Sequence, residues 1–102
     1  MSLSFSAFHA AHRRLSILQA LEGSTGYECN DSLLSTVLHQ LGLQCTRDQV
    51  RAELAWLAEV QLVTVREIGG SLMIATATER GLDVAAGRAR APGVAVPAPG
   101  SD

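Results

Sequence analysis

The sequence predicts a small α+β domain that is mainly helical: a three-helix core, a two-stranded hairpin and a C-terminal helix. Three observations carry this. Apolar residues recur at spacings of three and four in four separate stretches, the pattern of helices with one buried face. One stretch, residues 62–77, is instead rich in β-branched residues and is broken by Gly69-Gly70, a hairpin signal. Finally, 102 residues with a hydrophobic fraction of 47% and a charged fraction of 18% suit one core, and are too apolar for a disordered chain.

The first helix is expected over residues 5–22. Phe8, Ala11, Leu15, Leu18 and Leu21 trace one face with Ile17 alongside, and Gly23 and Gly26 stop it. Tyr27-Glu28-Cys29 reads as a short extended stub with its aromatic ring pointing inward. Asn30 or Asp31 caps a second helix over 32–41, with Leu33, Leu34, Val37, Leu38 and Leu41 as its apolar stripe and Gly42 just past its end. Thr46 opens a third helix, 46–60, and Gln49 completes a capping box in which each side chain serves the other's backbone N–H. At about 100° per residue, Val50, Leu54, Leu57 and Ala58 share one side, while Asp48, Ala52, Ala55, Trp56 and Glu59 share the other. The hairpin register expected from a two-residue Gly-Gly turn pairs Ile68 with Ser71, Val65 with Ile74 and Val63 with Thr76. Thr78 caps a last helix over 79–87. The domain is therefore expected to span 1–90, with 91–102 a flexible tail rich in Pro, Gly and Ala.

Eight basic residues against ten acidic ones give a net charge of −2, which excludes a polybasic protein whose whole surface attracts phosphate. All eight are arginines, at 13, 14, 47, 51, 66, 80, 88 and 90. Arginine is the better two-pronged partner for phosphate and guanine, but an Ala- and Arg-rich chain without lysine also follows from a GC-rich genome. Cys29 and Cys45 lie far apart and form no CxxC motif, so no disulfide framework is expected. No charged flank precedes an apolar run, and no run approaches the roughly 20 apolar residues that span a bilayer. The expectation is a cytoplasmic protein with reduced thiols and no membrane partner.

The order helix, extended stub, helix, tight link, helix, hairpin, helix resembles a winged helix-turn-helix. Residues 46–57 followed by Gln61-Leu62-Val63 are similar to the third helix and first wing strand of the ArsR and MarR regulator families. Gln61 stands where those families usually have Gly. Thr78-Glu79-Arg80-Gly81 resembles the Leu-Thr-x-x-Gly segment that follows the wing in MarR-like proteins, and the whole chain resembles small winged-helix proteins of Mu-like prophages. The resemblance implies a DNA-binding transcriptional regulator of phage or bacterial origin. The third helix would enter the major groove of double-stranded DNA, with Thr46, Arg47, Gln49 and Arg51 near base edges and phosphates. Arg66 on the wing and Arg13 and Arg14 on the first helix would add phosphate contacts. Because one weakly basic module binds poorly alone, a homodimer joined through the first and last helices is expected.

Charge weighs against that reading. Residues 46–60 hold two arginines (Arg47, Arg51) and three acids (Asp48, Glu53, Glu59), a local charge of −1, and acids beside phosphates weaken binding. The alternative is a winged helix used as a protein-interaction module, with Trp56 flanked by Ala52 and Ala55 as its contact face. Equally, another part of the fold could cover Trp56. His9 and His12, with His39, Cys29 and Cys45, could in principle gather round a metal, but lack metal-site spacing; neither metal nor cofactor is expected. No nucleophile, phosphate-cradling or metalloprotease motif is present, so no enzyme activity is expected.

Overall fold

The computed structural model describes residues 4–98. Four helices, α1 (Phe5–Glu22), α2 (Asp31–Gln40), α3 (Arg47–Glu59) and α4 (Glu79–Ala86), surround a sheet of β1 (Glu28–Asn30), β2 (Val63–Ile68) and β3 (Leu72–Ala77). Each helix starts on a side-chain cap. Ser4, Asn30, Thr46 and Thr78 accept from Ala7, Leu33, Gln49 and Gly81 respectively, satisfying N–H groups that helix starts leave unpaired. At α3 the Thr46–Gln49 capping box forms in both directions.

The sheet is larger than the expected two-stranded hairpin. The stub after α1 is β1, and it pairs antiparallel with β3 to give the strand order β1-β3-β2. Tyr27 does not point inward. It lies half exposed at φ 58° in the 3-10 turn Thr25–Tyr27. The hairpin register also differs by one residue from that expected. Ile68 pairs with Leu72, Val65 with Ala75 and Val63 with Ala77, because three residues, Gly69, Gly70 and Ser71, form the turn. Both glycines take positive φ, and a one-residue slip exchanges the faces of a strand. Ala75 and Ala77 therefore face the core beside Val63.

The core is aliphatic. Leu15, Ile17, Leu18 and Leu21 of α1 meet Leu34 and Leu38 of α2, Val50, Leu54 and Leu57 of α3, and Val84 and Ala85 of α4. Several residues of the expected stripes lie outside it: Phe8, Leu33 and Leu41 are about half exposed. The segment expected to be a free tail packs back onto the domain from residue 91. Ala91 and Val94 are buried, and the Ala95 amide donates to the Ala11 carbonyl at 3.1 Å. Positions 99–102 of the expected tail lie outside the described residues.

The α3–β2 and β3–α4 connections lock together around Leu62. Its carbonyl accepts from both the backbone N–H and the hydroxyl of Thr78, at 3.0 and 3.1 Å. Gly81 sits so close that a Cβ there would overlap the Leu62 carbonyl oxygen. Gln61, where the resembling families place glycine, occupies the left-handed region at φ 65°, a conformation that costs a residue with a Cβ about 1–2 kcal/mol. Gly81→Ala is accordingly expected to lower the unfolding free energy by about 3 kcal/mol, as overpacking does. Gln61→Gly should raise it by about 0.5 kcal/mol, the left-handed relief less the added freedom of glycine when unfolded. Urea titration of both variants measures the two effects, and equal midpoints would refute the close-packing account.

Candidate nucleic-acid interface

The residues expected to meet DNA gather around α3, but most of their polar atoms are used inside the molecule. Thr46 and Gln49 are exposed on the first turn. Their side chains close the capping box, Gln49 Oε1 accepting from the Thr46 amide at 2.8 Å and Thr46 Oγ1 from the Gln49 amide at 3.1 Å.

Arg47 and Arg51, one turn apart on α3, reach the carboxylate of Asp31, which has no solvent exposure. Arg47 Nε donates at 3.1 Å and Arg51 Nε at 2.9 Å to Oδ2, and Arg47 Nη2 reaches Oδ1 at 3.4 Å. The backbone amides of Ser32 and Met73 also donate to Oδ1. The same Arg47 Nη2 bonds the carbonyl of Ser71 in the hairpin turn. One buried carboxylate thus joins the start of α2, the start of α3 and strand β3. Burial pushes this carboxyl up, but the Arg47 hydrogen bond and charge together with the two amides outweigh it and hold Asp31 below the usual carboxylate range. Arg51 Nη2 is buried without a hydrogen-bond partner.

A second node mirrors the first. Glu53, on the inner side of α3 and 5% exposed, accepts from Arg13 Nη2 at 2.8 Å and from Arg14 Nε at 2.7 Å. Arg14 continues outward, its guanidinium 3.9 Å above the Trp56 ring and its Nη1 bonded to the Gly93 carbonyl at 3.0 Å. Arg13 and Arg14 are therefore braces between α1 and α3. Each node carries two arginines against one carboxylate, an excess of one positive charge.

The outward face of α3 presents Asp48, Ala52, Ala55 and Glu59, all exposed, with Arg47 half exposed at the end nearest the hairpin. Trp56, expected with Ala52 and Ala55 on that face, is partly buried, covered by Arg14 and by the segment after α4. Arg66 stands on the outer face of the sheet, 3.5 Å from Glu28. His9 and His12 lie against Phe5 and Phe8, with ring centroids 4.6 and 4.4 Å apart. Among the described residues no three His, Cys, Asp or Glu side chains converge on a possible metal position. Cys29 and Cys45 are half-buried, and burial pushes both thiols up, which makes them poor nucleophiles at neutral pH. No helix among the described residues is long and apolar enough to cross a membrane.

The fold and its two nodes define a small, mainly helical α+β protein whose third helix is held by buried carboxylates. The chain is 47% identical over 87 residues to gp26 of Escherichia phage Mu, an uncharacterised protein, covering 85% of this chain and 88% of that one. It is 34% identical over 80 residues to an uncharacterised protein of Haemophilus influenzae, covering 78% of each. No family model matches the chain. The chain belongs to the family of phage Mu gp26.

Asp31→Asn removes the charge that both guanidinium groups address. It is expected to lower stability at pH 7 by about 3 kcal/mol, the low end for a broken buried pair because Arg47 stays partly solvated. A carboxyl that titrates lower when folded adds stability above its unfolded value, and loses it as pH falls through the folded one. The gap between wild type and variant should therefore stay constant above about pH 5 and shrink below about pH 4, near the ordinary Asp value. Urea midpoints across that range measure it, and a gap that widens on acidification would refute the assignment.

Proposed function

We propose that the protein is a winged-helix DNA-binding module of a phage-type regulator. The observation that supports this best is topological. An α2–α3 pair is followed by a hairpin, the strand order is β1-β3-β2, and α3 starts beside the hairpin turn. In a winged helix the third helix enters the major groove while the hairpin follows the backbone. The contact surface is narrower than the sequence suggests. Arg13, Arg14, Arg47 and Arg51 all bond the buried carboxylates and Arg66 pairs with Glu28, so phosphate contact falls to the two of them that keep the most exposure, Arg47 and Arg66, with Gln49 at the exposed first turn. Asp48 and Glu59 on the same side of α3 oppose phosphate approach. Binding by one module is accordingly weak and salt-dependent, and useful affinity requires two modules acting as a dimer.

A second reading, a protein-interaction module, is favoured by one observation: α3 exposes Ala52 and Ala55 between two acids. One substitution separates the two. Ala52→Arg adds a cation on the open face of α3, at an exposed position that takes part in neither node. If the helix meets DNA, fluorescence anisotropy on a random duplex at low salt should show tighter binding for Ala52→Arg. Arg66→Ala should weaken binding, and each change should move the salt slope by about one unit. No binding by wild type at about 100 µM, the weak end of non-specific affinities, would overturn the DNA reading. Under the interaction reading Ala52→Arg leaves DNA binding absent and reduces self-association in sedimentation equilibrium.

A further inference from the structure

The segment after α4 fits a groove between α1 and α3, and its fit has the features of a bound peptide. Residues 91–95 are small: Ala-Pro-Gly-Val-Ala. Ala91 and Val94 are buried, and between them Gly93 lies against Cζ2 and Cη2 of Trp56. A Cβ on Gly93 would lie 2.8 and 2.9 Å from two indole carbons and 3.1 Å from Arg14 Nη1, and Gly93 holds φ 88°. Only glycine meets both demands without strain. Two directional bonds then fix the segment: Arg14 Nη1 donates to the Gly93 carbonyl, and the Ala95 amide donates to the Ala11 carbonyl. Arg14 is itself positioned from beneath by Glu53 and stacked on Trp56. An open cavity of about 380 Å³ lies between the segment and α1, lined by Ala7, Phe8, Ala11 and His12 on one side and by Gly93, Val94 and Ala95 on the other. The segment is itself a turn, closed by the Val94 amide donating to the Ala91 carbonyl at 3.1 Å, so it presents a preformed shape to the groove and little ordering opposes its docking.

We infer that the α1–α3 groove is a docking site for the Pro-Gly turn of residues 91–95, with its glycine against Trp56, filled in cis by that segment and able to take the same segment from a second copy. The inference is independent of DNA binding, since neither Trp56 nor Gly93 belongs to the proposed contact surface.

Trp56 is the only tryptophan of the chain, so its fluorescence reports the groove directly. In full-length Gly93→Val the segment should lift off: emission shifts to the red and acrylamide quenching rises. A synthetic peptide of residues 88–98 added to that variant should restore the wild-type spectrum saturably, while the same peptide carrying valine in place of Gly93 should not. Wild type, its groove already full, should not respond to the peptide. The inference is overturned if Gly93→Val keeps wild-type shielding of Trp56, or if its exposed Trp56 does not respond to the peptide. Should far-UV circular dichroism show that Gly93→Val is unfolded, Ala95→Pro, which deletes the amide bonded to Ala11, gives the same readings by a second route.

Discussion

The Asp31 carboxylate has no solvent exposure, and the arrangement of half the molecule follows from that. A carboxylate removed from solvent is tolerated only where donors surround it. Asp31 finds them in the amides of Ser32 and Met73 and in the guanidinium groups of Arg47 and Arg51. These donors come from α2, β3 and α3, so the anion can be satisfied only when the three elements meet. Apolar packing is non-directional, so Val50, Leu54 and Leu57 bury α3 without by themselves naming its partners. The hydrogen-bonded charge names them. Arg47 extends the same restraint to the hairpin turn through Ser71.

The two nodes also explain part of the arginine usage. Arg47 bridges both oxygens of Asp31 and a carbonyl, and Arg14 contacts a carboxylate, an indole face and a carbonyl at once. A lysine ammonium, a point charge at the end of a flexible stem, holds no such fork geometry. At 14 and 47 the planar guanidinium is what the structure uses. Those internal bonds partly neutralise the cations on and against α3.

The helices were legible because their caps and apolar spacing agree: Asn30, Thr46 and Thr78 each precede a periodic run, and the capping box at Thr46 forms as read. The hairpin was legible as an element and not in register, because Gly69-Gly70 serves a three-residue turn as well as a two-residue one. The nodes were missed although their signal was present. Asp31, Leu34 and Leu38 share one face of α2, and Val50, Glu53 and Leu57 share one of α3. An acid in phase with a buried stripe ordinarily marks the end of a stripe, and only three-dimensional proximity shows that arginines 16 to 40 residues away complete it. The packed C-terminal segment had no periodicity to read. Its order comes from fitting a groove, not from local preference.

That last distinction bears on Trp56. The wheel places it opposite Val50 and Leu54 on a face that should meet solvent or a partner, and it does meet something: Arg14 and residues from its own chain's end. The polar atoms of Arg14 are shared between Glu53 and Gly93, so the segment docks on a cation that the core has already positioned. If Arg14 were free, ordering its long side chain would oppose docking by roughly 2 kcal/mol of rotamer entropy. Because Glu53 and the indole have restrained it beforehand, most of that cost is met in the folding of α1 against α3. A short segment with few contacts can therefore stay in place. The buried carboxylate of α3 thus acts at two distances, holding α1 directly and the segment after α4 through Arg14.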